Sequence, residues 1–70
     1  MKINANDYSS CDIMKILREW SELKQEDFGK TINLSRRTIQ SYENGTRTYN
    51  INTLLKIAKV HNLSITIEKK

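Results

Sequence analysis

Residues Gln25 to Gly45 read QEDFGKTINLSRRTIQSYENG, and this stretch decides the fold because it spells two short helices joined by a tight turn. The first helix is expected from Gln25 to about Ile32, and the turn passes through Asn33 and Leu34. Ser35 then stands as an N-cap for a second helix, Arg36 to about Asn44, which Gly45 ends in a left-handed C-cap. Phe28, Ile32, Leu34, Ile39 and Tyr42 supply the apolar contacts between the two helices and toward the rest of the domain. Gly29 falls where the helices come closest, so a side chain there would push them apart. The outward face of the second helix carries Arg36, Arg37, Gln40 and Ser41. All four are hydrogen-bonding side chains that reach base edges or phosphates, which is helix-turn-helix geometry with a reading face.

Charge follows the same division. The 70 residues hold 12 Lys plus Arg against 8 Asp plus Glu, a net charge of +4. From Ser35 to Arg47 there are three arginines and one acid, Glu43, whereas the helix expected before the motif carries Asp12, Glu19 and Glu22. The positive potential therefore belongs to the second motif helix and the loop after it. One cysteine, Cys11, excludes an internal disulfide and a cysteine-built zinc cluster, and it agrees with a reducing cytoplasm. The sequence has no apolar run long enough to span a membrane, and its first residues, MKINANDY, lack the apolar core of a signal peptide. A chain of this size buries only about 60% of its unfolded surface, which makes dimerisation a prior expectation. No cofactor is expected. An enzyme is not expected either, because the single histidine, His61, sits at a helix end and Cys11 has no partner groups near it in sequence.

Outward from the motif, three segments are expected: 1–8 as a flexible or short-strand lead, 9–63 as the DNA-binding domain, and 64–70 as a strand that joins two copies. In the first, Ile3 and Ala5 alternate with polar residues and form an edge strand if something pairs with them. A helix begins near Ser9 or Ser10, with Asp12 in its first turn, and ends near Ser21 or Glu22. Its Ile13, Met14, Ile16, Leu17 and Trp20 span roughly 160° of a helical wheel, more than the ~100° that one core requires. Met14 and Leu17 point to the core, and Ile16 and Trp20 need a cover from elsewhere. Lys24 stands where an N-cap is expected, an amine that a phosphate would neutralise and that a solvated surface lysine also explains.

After Gly45, Asn50 caps a helix from Ile51 to about His61. Tyr49 and Leu54 have the spacing of a hydrophobic staple, and Ile51, Leu54, Leu55, Ile57 and Ala58 form the expected core face. Asn62 is the left-handed terminator. From Leu63 to Glu68 the pattern alternates, with β-branched residues that favour a strand. A lone strand needs a partner, either the N-terminal segment or the same strand of a second chain. In the second case Leu63, Ile65 and Ile67 face inward and cover Ile16 and Trp20, and these five residues are the expected dimer interface.

LREWSELKQEDFGKTINLSRRTIQSYENG, Leu17 to Gly45, resembles the lambda-repressor/Cro-like helix-turn-helix domains of the XRE family, and NINTLLKIAKVHNLS, Asn50 to Ser64, is similar to their next helix. The two stretches cover about two thirds of the chain. The resemblance implies a mainly α fold, a four- to five-helix lambda-repressor-like DNA-binding domain, here with a short C-terminal β-strand. It implies double-stranded DNA as partner, with Arg36, Arg37, Gln40 and Ser41 at bases and Gln25, Ser35, Thr38, Asn44 and Arg47 at phosphates, to which the amine of Lys24 at the helix start is added. Arg18 and Glu43 match a pair that in many members ties the first helix to the end of the recognition helix. The chain departs from the pattern where Asn33 replaces a usual Gly and Tyr49 a usual Pro. It departs again where a strand follows in place of a fifth helix. In that last respect SITIEKK resembles DNA-binding antitoxins of the HipB type, which implies a homodimer and a toxin protein as a further partner.

Overall fold

The computed structural model describes residues 2–67 and Lys69; the expectations that fall on Met1, Glu68 and Lys70 lie outside the described residues. Four helices follow one another: α1 (Ser10–Trp20), α2 (Gln25–Thr31), α3 (Arg36–Asn44) and α4 (Ile51–Val60). Each start and stop has a local cause. The Ser9 hydroxyl accepts from the Asp12 amide, Ser35 from Thr38 at 3.2 Å and Asn50 from Thr53 at 2.9 Å, so three of the four N-termini have a side chain for an otherwise unpaired donor. At the start of α2, Lys24 makes no such bond, and Glu26 and Asp27 supply negative charge in the first turn. Gly45 ends α3 at φ 82°, Asn33 forms the motif's turn at φ 59°, and Asn62 ends the α4 segment at φ 54°. Glu22, after α1, also adopts the left-handed region at φ 58°, a conformation to which its side chain contributes nothing.

The core is one cluster shared by all four helices: Ile13, Met14 and Leu17 from α1, Phe28 and Ile32 from the α2 region, Ile39 and Tyr42 from α3, Leu54 and Ile57 from α4. Ile16, Trp20, Leu23, Leu34, Tyr49, Leu63 and Ile65 pack around it half-buried. One expectation fails at α4. Ile51 and Leu55 are 54% and 55% exposed, because Leu54, Ile57 and Ala58 already face the core and the other two lie at the rim of that arc. Tyr49, before the cap, packs against the cluster that contains Leu54 and has further partners. Its ring meets Tyr42 edge-on at 5.3 Å and its hydroxyl donates to the Ser10 carbonyl.

The C-terminal end of α4 is fastened to α2. His61 stacks on Phe28 at 5.0 Å, and its Nε2 lies 2.9 Å from Thr31 Oγ1. The Thr31 hydroxyl donates to the Phe28 carbonyl, so the imidazole supplies the proton of its own bond to Thr31. Lys56 Nζ donates to the Ile32 carbonyl at 3.4 Å.

Of the two partners open to the tail, the structure uses the N-terminal segment. β1 (Lys2–Asn4) and β2 (Ser64–Thr66) form a two-stranded parallel sheet, with Ile3 opposite Ile65 and Asn4 opposite Thr66. A 3-10 turn over Ala5–Asp7, capped by the Asn4 side chain, leads back to α1. The strand is shorter than the alternation from Leu63 to Glu68 suggested. Leu63 and Ile65 pack against the core cluster, whereas Ile67, past the last paired residue, is 68% exposed. Within one protomer Ile67 therefore takes no part in the packing around Ile16 and Trp20.

Candidate nucleic-acid interface

α3 is amphipathic in the sense a reading helix requires. Ile39 and Tyr42 are buried on one side, and Arg36, Arg37, Gln40 and Asn44 are exposed on the other. Among the described residues, the side chains of Arg36, Arg37 and Gln40 make no hydrogen bond or ion pair within the protein, so their donors and acceptors face solvent.

What holds this helix in place is rigid at both ends. Behind its start, α2 approaches so closely that a Cβ on Gly29 would fall inside contact distance of the Leu34 carbonyl oxygen and 3.4 Å from Ile39 Cγ1. The Leu34 amide in turn donates to the Gly29 carbonyl at 2.8 Å. At the other end, Arg18 from α1 makes a two-pronged bond to Glu43, Nε to Oε2 at 2.7 Å and Nη2 to Oε1 at 3.1 Å. Its third nitrogen donates to the Leu23 carbonyl at 3.0 Å, so one guanidinium joins α1, the α1–α2 connection and α3. The Glu43 side chain is 7% exposed, and the hydrogen bond to it holds the Arg18 pKa above its ordinary value against the opposing effect of burial.

The hydroxyl groups are more committed than the sequence suggested. Ser35 Oγ caps the Thr38 amide and also meets Thr38 Oγ1 at 3.0 Å. Ser41 Oγ donates to the Arg37 carbonyl at 2.9 Å, which leaves it only acceptor capacity. In the loop after α3, the Asn44 carboxamide oxygen accepts from the Thr46 amide at 3.0 Å and the Thr46 hydroxyl at 2.8 Å, which turns its NH2 donors outward as the remaining polar group. Arg47 is exposed in the same loop, its amide fixed by the Ser41 carbonyl at 3.2 Å. Lys24 is exposed at the start of α2, apart from the α3 residues in sequence.

An open groove of about 340 Å³ runs along one flank of α3, lined by Lys15, Arg18, Gln25, Gln40, Glu43 and Asn44. It brings Gln25, from the start of α2, to the same surface as Gln40 and Asn44. It also includes Lys15, which the sequence reading did not single out. The signal for it is its position three residues before Arg18 on α1, which sets both cations on one face of that helix.

The family model for helix-turn-helix domains, HTH_3, matches residues 14–67, from the middle of α1 through β2. The chain belongs to the lambda-repressor/Cro-like helix-turn-helix family. No curated protein and no solved structure gives a match. Membership makes this a DNA-binding domain of the transcriptional-regulator kind, and α2–turn–α3 is the family's motif. Among the described residues no three His, Cys, Asp or Glu side chains are grouped to hold a metal ion, and no helix is long and apolar enough to cross a membrane.

Proposed function

We propose that the chain is a cytoplasmic, dimeric repressor that lays α3 in the major groove of an inverted-repeat operator. The observation that carries this reading is the row of unpartnered Arg36, Arg37 and Gln40 on a helix whose opposite face is locked into the core. A guanidinium donates to guanine O6 and N7 and a carboxamide pairs with adenine N6 and N7, so these side chains are assigned to base edges, with Ser41 as an acceptor beside them. Lys24, Gln25, Ser35, Thr38, Asn44 and Arg47 are assigned to the sugar-phosphate backbone, where they fix register.

The two classes separate experimentally. With a duplex enriched from random sequence, Arg37→Ala is expected to cost ~1–3 kcal/mol in specific binding and to relax preference at one base pair. Lys24→Ala and Arg47→Ala are expected to weaken specific and random duplexes alike and to flatten the salt dependence. Equal losses on both duplexes for all three variants would overturn the division of roles.

Dimerisation is assigned to the tail. β2 has one edge on β1 and, among the described residues, no strand on the other. Antiparallel pairing of that edge with its copy gives a four-stranded sheet with the β2 strands at its centre and Ile67 beside the seam, the two chains then reading half-sites about 34 Å apart. A second reading, an antitoxin that binds a toxin protein and regulates its own operon, draws on this same strand where most family members have a fifth helix. Recovery of a toxin encoded beside the gene in a defined complex with the chain would favour it.

A further inference from the structure

We infer that the groove between α1 and α3 is a seat for one DNA backbone phosphate and that Lys15 is the cation that holds it there. The inference rests on the DNA-binding reading and extends the contact surface to α1, outside the helix-turn-helix.

The ligand class follows from the groove's chemistry. Two cations and one carboxylate line it, but Arg18 and Glu43 satisfy each other, and Arg18 gives its remaining nitrogen to the Leu23 carbonyl. Lys15 is the lining cation that makes no ion pair among the described residues. Around it stand three carboxamides, Gln25, Gln40 and Asn44, and the last presents N–H donors because its oxygen is taken by Thr46. One unneutralised ammonium with N–H donors beside it suits a single anionic oxygen group. Pockets for small organic ligands are mostly apolar and enclose most of their occupant, whereas this groove is polar and open along the flank of the reading helix. A phosphodiester crossing beside the major groove meets that shape and charge. Gln40 lies on both the groove and the exposed face of α3, so the seat sets how far this side chain stands from the bases.

Lys15 is exposed on α1, so Lys15→Gln leaves the core untouched, and Lys59→Gln, on α4 and outside the groove, controls for loss of one positive charge. Binding of the selected duplex would be measured across a salt series. The expected result for Lys15→Gln is about a five-fold loss at ~0.15 M salt with a slope reduced by about 0.9, less for Lys59→Gln, and recovery in Lys15→Arg. In a second measurement, single methylphosphonates are placed along the duplex. Wild type should be sensitive at one phosphate where Lys15→Gln is not, and the two should agree at the others. If Lys15→Gln matches Lys59→Gln, or responds to every methylphosphonate as wild type does, the seat is refuted while the function of α3 stands. If the wild-type chain binds no duplex, both readings fall.

Discussion

His61 closes α4 over the ring of Phe28, and burial lowers its pKa from the ordinary value of 6.5. The folded state therefore prefers the neutral ring. That preference contributes stability above the unfolded pKa and loses it as pH falls through the lower folded value. Thermal melting should show the wild-type midpoint dropping between about pH 7 and about pH 5, with a shallower drop for His61→Gln, which keeps a polar group near Thr31 without a titrating one. Identical slopes for the two proteins would show that His61 is not linked to folding. At this scale the sequence was readable wherever side-chain chemistry matches backbone geometry. Asn33 and Asn62 announce their left-handed turns, and Ser35, Asn50 and Gly45 announce the limits of α3 and α4. Glu22 at φ 58° has no such chemistry, so only the folded chain reveals it. The hydroxyls of Ser41 and Thr38 were equally opaque, because a helical Ser or Thr looks the same whether it bonds its own backbone or faces outward.

Between elements, the closest approach in the motif is the α2–turn contact at Gly29. Alanine is the better helix former by about 1 kcal/mol, but here its methyl group meets a backbone carbonyl that cannot rotate away. Gly29→Ala is expected to destabilise by ~1–3 kcal/mol, read as a melting point lower by roughly 4–8 °C for each kcal/mol in a domain of this size. An unchanged or raised melting point would mean the turn relaxes freely. This contact and the Arg18–Glu43 tie were legible, the first as a glycine at a crossing and the second through the family pattern. The rim of α4 was not. Five apolar residues on its wheel exceed what the core takes up, and the periodicity alone does not say that Ile51 and Leu55 stay outside. Tyr49 likewise found the Ser10 carbonyl, a partner 39 residues away, besides Tyr42.

At the scale of the whole molecule, a two-stranded parallel sheet is an unusual thing to leave in solvent, since parallel strands are normally covered and small sheets have little independent stability. The proposed second copy along β2 relieves both deficits. Removing the tail would be a poor test, because Leu63 and Ile65 pack against the protomer's own core. Ile67→Lys spares the core and puts a charge beside the proposed β2–β2 seam. Sedimentation equilibrium is expected to shift from dimer toward monomer in the variant, and an unchanged dimer constant would place the interface elsewhere. The alternation in the tail was visible in the sequence, but which strand it pairs with was not, because nothing local distinguishes the N-terminal segment from a second chain.

The helical contacts of the motif link neighbours along the chain, whereas β1 meets β2 by joining the second residue to the sixty-fourth. Closing so long a loop costs conformational entropy that only a few strand hydrogen bonds return. The sheet is therefore expected to be the part that opens first, while the helix bundle and its reading surface stay formed. In hydrogen exchange the amides of Ile3 and Ile65 should open ahead of those of α1 and α3, as a unit of lower local stability.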